Sequence, residues 1–475
     1  MITSLAVANT SKAEVANQQI DWPTSRSNAA GSATLELKIA NKLRAQQWTF
    51  NGSGRVYGYS PGMTVWSPPA IGLVDNQAVV FVGSYDKNIY ALDAQTGNEL
   101  WRVTTGDGVY ATPVLWQGSN GSQLYVSSSD RLLYALNASN GARLWIHSVA
   151  DYRPTLGGAR LGSVCQGKVF HEAAVFLPYW VWDRSLAANQ QESGVTALSA
   201  SDGKVLWKSR IGDNELTAAT CVTIDTEAFV YVASSDGNVF ALNAKNGVKL
   251  WQYTELDAIR GAPVISNSAR GPLLIVASKS GLVRTLNAVT GKEVWHYRTG
   301  DWVTGAPAIA TVYERPMVFV GSYDNSMYAL DLLSGALVWR FHAAAGIHAA
   351  PTIITHFAPA LVIFSAWDHQ LYGVTAQQGE KRFRVYTGRP IWDVVGLEAS
   401  SWSAPIAAAI NDDWMVYIGS YDGTFYALPV QELLARGSTS MPVSFEFWLS
   451  FPIALLAVGL FARILTMHYR RSRQR

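Results

Sequence analysis

The sequence is poor in cysteine and in charged residues. Of its 475 residues, 2 are Cys, and Asp, Glu, Lys and Arg together make up 15%, against about 25% in an average soluble domain. Two cysteines exclude a disulfide framework and a zinc site built on cysteine. A net charge of +2 lacks the basic excess of a nucleic-acid-binding protein, so we expect no nucleic-acid partner.

Several sequence motifs of common enzyme classes are also missing. The chain has no GxGxxG dinucleotide motif, P-loop, nucleophile elbow or HExxH zinc motif. What it does have is apolar and aromatic residues, at 49% and 12%, together with 39 Gly. This composition excludes general disorder, because so much apolar side chain can bury a large core.

The dominant feature of the sequence is an internal repeat. The phrase VFVGSYDKNIYALDAQTGNELW at 80–101 returns in variant form at 230–251 and 318–339. Its closing aromatic residue recurs every 44 residues, apart from one step of 62. The residues at this position are Trp101, Trp145, Trp207, Trp251, Trp295, Trp339 and Phe383. A repeat of this length is typical of solenoids and propellers.

Each repeat reads as four short strands. Alternating β-rich runs are separated by Asp-Gly and Thr-Gly turns, in which Gly supplies the positive φ that hairpins require. Four antiparallel strands at a fixed period of 40 to 50 residues are typical of a β-propeller blade. Eight Tyr-Ala-Leu-like positions occur between 90 and 426, so the sequence predicts an all-β, eight-bladed propeller.

The two chain ends are predicted to close the ring. The last repeat, VYIGSYDGTFYALP at 416–429, has no Trp strand after it, whereas QQWTFNGSG near the N-terminus carries Trp48 in the matching register. We therefore expect the Trp48 strand to complete the eighth blade. Such closure would leave no free sheet edge.

These residues resemble the pyrroloquinoline-quinone (PQQ) repeat family. The resemblance rests on ALDAQTGNELW, ALNASNGARLW and TLNAVTGKEVW, and covers roughly residues 46–429. It implies that Trp48, Phe383 and the six other recurring aromatic residues dock between neighbouring blades. An indole can bury a large apolar area there while its N–H finds a backbone partner.

The resemblance implies two kinds of function. Quinoprotein dehydrogenases of the superfamily hold PQQ in the funnel, with an adjacent Cys-Cys pair and a calcium ion. Other members lack the cofactor and act as scaffolds, as does a lipoprotein of the outer-membrane β-barrel assembly machinery. Here the cysteines are 56 residues apart and no calcium-ligand segment is recognisable. The sequence favours a scaffold with no cofactor and no enzymatic activity; the alternative is a membrane-bound quinoprotein dehydrogenase with PQQ and calcium.

The sixth and the ninth residue after the recurring Trp both bear on binding. Six residues after it, five repeats carry Asp: Asp107, Asp151, Asp213, Asp257 and Asp301. These carboxylates either make local turns or form a ring that attracts a cation. Nine residues after it, the residue differs widely between repeats, as a ligand-shaped mouth or free surface would: Tyr57, Tyr110, Pro154, Leu216, Arg260, Thr304, His348 and Trp392.

Three insertions are unusually aromatic. The segments 52–69 and 387–405 offer Tyr57, Tyr59, Trp66, Trp392 and Trp402, and a loop over 169–194 offers Phe176, Tyr179, Trp180 and Trp182. Aromatic loops on a rigid scaffold are typical of protein interfaces, although they can also pack on each other and plug the funnel. The predicted ligand or partner contacts are Tyr57, Tyr59, Trp66, Tyr110, Trp180, Trp182, Arg260, His348, Trp392 and Trp402.

The two cysteines lie at comparable places in consecutive repeats. Cys165 and Cys221 both fall near the start of a predicted inner strand. Neighbouring inner strands are close enough for a disulfide in an oxidising compartment, and two buried thiols are the alternative. No catalytic residue and no metal site is predicted.

The segments outside the propeller suggest a membrane protein. Residues 445–467 form an apolar stretch that at about 1.5 Å per residue reaches roughly 34 Å, enough to span a bilayer. The tail 468–475 is rich in Arg, which places the C-terminus in the cytoplasm and the propeller on the exoplasmic side. A linker at 430–444 would join the two.

The N-terminal extension, residues 1–45, fits this topology poorly. It lacks the basic region and the long apolar run of an export signal. Either the true start codon lies upstream, or the chain is tail-anchored with a cytosolic propeller. We favour the first interpretation because it agrees with the charge of the tail.

Overall fold

The structure is a computed structural model, and it describes residues 34–37, 48–51, 67–118, 121–149, 158–169, 172–183, 190–254, 257–387, 404–410, 412–419 and 424–442. All structural statements concern these residues.

Strands dominate the described chain. The N-terminal region contributes β1 (Thr34–Leu37) and β2 (Trp48–Asn51). Blade 1 consists of β3 (Ala70–Val74), β4 (Gln77–Gly83), β5 (Asn88–Asp93) and β6 (Glu99–Thr104). Blade 2 consists of β7 (Val114–Gly118), β8 (Gly121–Ser127), β9 (Leu132–Asn137) and β10 (Arg143–Ser148). Blade 3 consists of β11 (Gly158–Leu161), β12 (Cys165–Val169), β13 (Glu172–Asp183), β14 (Gln190–Ser199) and β15 (Val205–Gly212).

The next blades follow the same order. Blade 4 consists of β16 (Thr220–Ile224), β17 (Glu227–Ala233), β18 (Asn238–Asn243) and β19 (Lys249–Thr254). Blade 5 consists of β20 (Val264–Ser268), β21 (Gly271–Ala277), β22 (Leu282–Asn287) and β23 (Glu293–Arg298). Blade 6 consists of β24 (Ala308–Val312), β25 (Arg315–Ser322), β26 (Ser326–Asp331) and β27 (Leu337–His342).

The C-terminal part closes the ring. Blade 7 consists of β28 (Thr352–Ile354), β29 (Leu361–Ala366), β30 (Gln370–Thr375) and β31 (Lys381–Tyr386). Blade 8 begins with β32 (Ile406–Ile410), β33 (Asp413–Gly419) and β34 (Thr424–Pro429), which are followed by α1 (Val430–Arg436) and β35 (Ser438–Pro442). The described strands form eight sheets, each built on four antiparallel strands. The four strands are consecutive in the chain except in blade 8, where β2 is the fourth strand. The predicted eight-bladed propeller is confirmed.

Closure by the N-terminal strand is also confirmed. Strand β2 pairs antiparallel with β34, with Trp48 opposite Ala427. The ring is therefore sealed inside blade 8, which joins the two ends of the propeller by backbone hydrogen bonds. Strand β1 adds a further element: it pairs in parallel with β32, the innermost strand of this blade, and contacts the inner strands β3 and β28. The segment 34–37 thus lines the centre of the ring.

The recurring tryptophans dock each blade onto the next. In six of them, the indole Nε1 donates a hydrogen bond of 2.8–3.0 Å to a backbone carbonyl of the following blade: Trp101 to Ala138, Trp145 to Ala200, Trp207 to Ala244, Trp251 to Ala288, Trp295 to Leu332 and Trp339 to Ala376. The face of each of these rings meets the turn glycine of the next blade. The blade-docking interpretation of these six residues therefore agrees with the geometry.

The turn glycine satisfies two requirements at once. Gly291, for example, has a φ of 71°, in the left-handed region that other residues enter at a cost. A Cβ on this residue would lie 2.7 Å from Cδ2 of Trp251, well inside van der Waals contact. The same pairing recurs for five other glycines: Gly141, Gly203, Gly247, Gly335 and Gly379.

Phe383 occupies in blade 7 the position that holds the docking Trp in the preceding blades. Blade 8 ends in helix α1 instead of a Thr-Gly turn, because its fourth strand comes from the other end of the chain. Phe383 is fully buried in a cluster with Val430 and Leu433 of that helix. A phenyl ring suits this apolar surface and carries no N–H that needs a turn carbonyl.

Two segments differ from their predicted form. The predicted loop at 169–194 is instead a long hairpin of β13 and β14, paired over ten residues from Ala174–Ser199 to Asp183–Gln190, because the inserted residues extend the blade's own ladder. The predicted linker at 430–444 contains α1, which packs through Leu433, and β35, which pairs in parallel with β31.

No helix among the described residues has the length and apolar character needed to cross a bilayer. The predicted span 445–467 and the tail 468–475 lie outside those residues.

The Trp–Gly contact predicts a specific destabilisation. Gly291→Ala should lower the free energy of unfolding by about 2 kcal/mol or more, since it adds both backbone strain and a clash with Trp251. Gly271→Ala in the same blade is the matched control: its φ is 91° and nothing lies within 4 Å of a Cβ there, so it should cost only about 1 kcal/mol. Urea unfolding measures both. Equal costs would contradict the packing argument.

Candidate binding face

One face of the propeller carries two sets of loops. The first set consists of the loops that lead from each outer strand to the next blade. The second set consists of the turns between the second and third strands of each blade. Both sets lie at the same end of the propeller, because successive strands alternate in direction. We call this end the loop face. Backbone N–H groups of Lys279, Tyr323 and Trp367 in the turns donate to carbonyls of Ala258, Trp302 and Gly346 in the loops. The two sets are therefore joined along the face.

The recurring aspartates of the loop face serve the loops themselves. Asp107, Asp257 and Asp301 each accept a hydrogen bond of 2.7–2.9 Å from the N–H of the following residue. Asp213 instead pairs with Arg210 at 2.7 Å, and Asp151 lies outside the described residues. Local turn formation accounts for the three carboxylates.

A second series of aspartates, not predicted from the sequence, ties loops to turns. Asp130 accepts hydrogen bonds of 2.6 Å from the Tyr134 hydroxyl and from the N–H of Gly106 in the preceding loop. Asp324 binds Tyr328 and Gly300 in the same way. Burial, together with the neighbouring carboxylate, raises the pKa of Tyr134 to about 12. The signal in the sequence is Asp followed by Tyr four residues later.

Against this repeated arrangement, the variable positions of blades 5 to 7 form one connected cluster. His348 Nδ1 is hydrogen-bonded to Thr304 Oγ1 and lies 3.4 Å from the Tyr323 hydroxyl. The Tyr323 ring meets those of Trp367 and Trp302 at centroid distances of 4.9 and 5.7 Å. The cluster joins side chains from three blades, so it is built by the packing of neighbouring blades and not by any one repeat.

Two cations border this cluster. The Lys279 ammonium lies 4.6 Å from the centroid of the Trp302 ring. Arg260 is exposed and makes a long ion pair of 3.7 Å with Glu215. This arrangement offers a neutral aromatic floor with positive charge at its edge, which suits anionic or aromatic groups of a ligand.

His348 is held in its neutral form. Burial is the main cause, and the positive charges of Arg260 and Lys279 add to it; together they lower the pKa of His348 to about 4. Burial also raises the pKa of Tyr323. At neutral pH both side chains therefore act as uncharged hydrogen-bonding groups.

Tyr110 belongs to a smaller version of the same arrangement. Its ring packs on that of Tyr85 at a centroid distance of 5.6 Å, and both rings are exposed, by 39% and 42%. Tyr85 has the same position in the turn of blade 1 as Tyr323 has in the turn of blade 6. Tyr110 has the same position in the loop after blade 1 as His348 has in the loop after blade 6. The loop face therefore carries a second aromatic site far around the ring.

The remaining predicted residues fall into three groups. Trp180 lies on β13 and donates a hydrogen bond of 3.0 Å to the carbonyl of Asp213, while Trp182 is paired with Gln191 in the same hairpin. Leu216 is buried in the core between blades 3 and 4. The rest lie outside the described residues: Tyr57, Tyr59, Trp66, Pro154, Trp392 and Trp402.

Sequence reasoning found Arg260 and His348 but missed their neighbours. Lys279, Tyr323 and Trp367 occupy the same position in their repeats, directly before the Ser or Asp of the turn. In other repeats this position holds Tyr85, Ser129 or Ser235, so it too is variable. Comparing this second variable position across repeats would have identified them. Their proximity to the first variable position, however, depends on how loops and turns pair.

Cys165 and Cys221 form a disulfide in the structure, with their Cα atoms 5.8 Å apart. Cys165 lies on the inner strand of blade 3 and Cys221 on that of blade 4, and both are fully buried. The bond therefore ties two neighbouring blades. Of the two alternatives that the sequence left open, the structure shows the disulfide and not two buried thiols.

The disulfide bears on the cofactor that the resemblance implies. Both cysteines are used in an interblade bond and cannot form an adjacent pair. Within the described chain, no three His, Cys, Asp or Glu side chains converge as a metal-binding group. The described residues thus do not fit the Cys-Cys and calcium arrangement of a PQQ centre.

The lowered pKa of His348 predicts a pH dependence of stability. The unfolded chain takes up a proton on this residue near pH 6.5 and the folded chain only near pH 4, so folding loses stability as the pH falls from about 6.5 to 4. His348→Gln, which keeps hydrogen-bonding capacity, should show a smaller loss over this interval in urea unfolding. The His348 ring resonances should titrate near pH 4. Titration near pH 6.5 would contradict the enclosed, cation-flanked environment.

Comparison with known proteins identifies the family. The model of the family described as outer membrane protein assembly factor BamB matches residues 43–169, 176–297 and 257–432. A search of curated proteins found no match.

Solved structures share the fold at low sequence identity. A europium-containing methanol dehydrogenase is 13% identical, with a TM-score of 0.62 over 84% of this chain and 90% of that chain. A quinohemoprotein alcohol dehydrogenase from Comamonas testosteroni is 15% identical, with a TM-score of 0.58 over 90% and 82%. The computationally designed Ika8 protein is 16% identical, with a TM-score of 0.52 over 77% and 97%. At these identities the likeness shows the fold alone.

The family match spans nearly the whole propeller in three segments and agrees with the recurring Trp–Gly docking. The resemblance to PQQ-repeat proteins is thereby confirmed, and the chain belongs to the PQQ-repeat propeller family described as outer membrane protein assembly factor BamB.

Proposed function

We propose that this protein is a binding scaffold that engages a protein or an extended ligand through its loop face. The observation that carries this proposal is the connected cluster of His348, Tyr323, Trp367, Trp302 and Lys279. Its side chains occupy positions that vary from blade to blade, whereas the aspartates and tryptophans that hold the blades together repeat. Variable side chains that meet on one surface of a rigid repeat scaffold suit the recognition of a specific partner.

The chemistry of the cluster suits recognition. Exposed Trp, Tyr and Arg residues are the side chains that contribute most to protein interfaces. Trp302 is 46% exposed, and Arg260 beside it is also exposed. The long hairpin of β13 and β14 extends the loop face in blade 3, where Trp180 is fixed by its bond to Asp213. A rigid scaffold that presents such groups binds without a large ordering cost.

Membrane anchoring through 445–467 is part of this proposal. The support is the apolar stretch of 23 residues and the arginine-rich tail. In this arrangement the propeller lies on the exoplasmic side, and the interblade disulfide agrees with an oxidising compartment.

A dehydrogenase is the second candidate, favoured by the fold shared with methanol and alcohol dehydrogenases. A likeness at 13% and 15% identity does not carry an activity with it. The cysteine and metal arrangement described above argues against this candidate.

Removing the Lys279–Trp302 cation–aromatic pair should weaken partner binding. We expect the double variant Lys279→Ala, Trp302→Ala to weaken binding roughly 10-fold or more, since truncated aromatic anchors commonly cost about 2 kcal/mol. The measurement is the dissociation constant for a partner isolated by crosslinking in intact cells. Tyr313→Ala is the control, because Tyr313 is 60% exposed in the first turn of blade 6, on the opposite face of the propeller. Unchanged binding by the double variant, or equal loss by the control, would place the contact elsewhere.

A cofactor assay separates scaffold from enzyme. Purified protein supplied with PQQ and calcium should show neither stoichiometric uptake of PQQ by visible absorbance nor dye reduction with alcohol substrates. Stoichiometric reconstitution with dye-linked turnover would reject the scaffold proposal in favour of the dehydrogenase.

A further inference from the structure

The route of the C-terminal segment fixes which face of the propeller can approach a membrane. Strand β35 lies along the outer edge of blade 7, parallel to β31, with Ser438 beside Arg384 and Pro442 beside Tyr386. Strand β31 is the outer strand of its blade and runs toward the loop that leaves for blade 8. Pro442 therefore ends at the level of the loop face.

Little chain remains between this point and the apolar stretch. Only Val443 and Ser444 separate Pro442 from Phe445, where the stretch 445–467 begins. Three residue steps reach roughly 10 Å when fully extended. The opposite face lies farther off by the length of β31, six residues, or about 20 Å. Of the two faces, only the loop face can therefore reach the lipid headgroups without detachment of β35.

The distribution of exposed aromatic side chains also favours the loop face as the membrane side. Among the described residues, the aromatic side chains with large exposure are Tyr85, Tyr110, Trp302 and Tyr313. The first three lie on the loop face, and only Tyr313 lies on the opposite one. Tyr and Trp are the side chains enriched at the membrane–water interface, where an apolar ring and a polar edge are both accommodated.

The sector of the loop face that extends from blade 7, where β35 ends, back to blade 5 carries a suitable group of side chains. Blades 5 to 7 present the Trp302 ring with the Lys279 ammonium 4.6 Å from its centroid, and exposed Arg260 beside it. Arg260 pairs with Glu215, and Asp257 and Asp301 lie on the loops that carry Arg260 and Trp302, so the surface presents charges of both signs. Such a surface fits a zwitterionic lipid headgroup layer, with cations at the phosphate level and the indole at the ester level.

We propose that the loop face of this propeller lies against the lipid surface of the membrane to which the chain is anchored, with Trp302 and Lys279 at headgroup depth. This inference rests on the anchoring by residues 445–467 proposed above. The occupant of the face around blades 5 to 7 is thus phospholipid, and a protein partner must reach the cluster from the side or at the membrane surface.

The test uses the full chain reconstituted into phosphatidylcholine vesicles with a lipid-bound energy-transfer acceptor. Single cysteines are introduced as Trp302→Cys and, in a separate protein, Tyr313→Cys, and labelled with the same donor. Both native cysteines are buried and bonded to each other, so only the new thiols react. Trp302 lies in the loop that leads into blade 6 and Tyr313 in the first turn of that blade, so the two sites lie on opposite faces.

The label at 302 should lose roughly twofold more donor emission than the label at 313, since the two faces differ by about 20 Å in height. Insertion of a flexible Gly-Ser segment between Val443 and Ser444 should abolish this difference, because the tether no longer fixes the orientation. Equal transfer at the two sites, or greater transfer at 313, would overturn the orientation while leaving partner binding by the scaffold intact. Failure of the chain to associate with vesicles would overturn both the orientation and the anchoring, whereas partner binding is measured independently in detergent.

Discussion

The structure depends on one repeated contact: an indole of one blade that lies on the turn glycine of the next. The indole covers apolar area, its N–H reaches a carbonyl of the same turn, and the glycine is the residue that allows both the close approach and the positive φ. Each sheet alone has an apolar face that it cannot bury. The Trp–Gly contact sets the distance and orientation at which neighbouring sheets bury those faces together. The ring of eight follows from its repetition.

Closure of the ring makes the loop face a single surface. Because β2 completes blade 8, no blade is left with an open edge at the junction, and the loops keep a fixed relation around the circle. Aspartates in loops and turns hold this relation locally, as Asp130 and Asp324 show by binding a tyrosine of their own blade and a glycine of the preceding loop. The repeated residues are therefore occupied by structure, and the residues free to vary are those at the surface between them.

The cluster around His348 shows what such variation can build. No single repeat contains it: Thr304, Tyr323, His348 and Trp367 come from successive loops and turns of three blades. Enclosure by these neighbours, together with the two nearby cations, keeps His348 uncharged. This neutral, hydrogen-bonding and aromatic surface with cations at its margin is the one proposed for recognition, and it lies on the same face as the end of β35, which links it to the proposed membrane side of the molecule.

By itself, the sequence determined the blade count, the four-stranded unit, the docking role of the recurring tryptophans and the closure by Trp48. These features repeat, or complete a repeat, and so can be read from spacing alone. It also pointed to Arg260 and His348 by their departure from the repeat. Only the tertiary structure decided that Lys279, Tyr323 and Trp367 join them, that 169–194 is a hairpin and that 430–444 contains α1 and β35. Contacts between blades depend on distances in space, and neither an insertion nor a chain end has a period to reveal its partner.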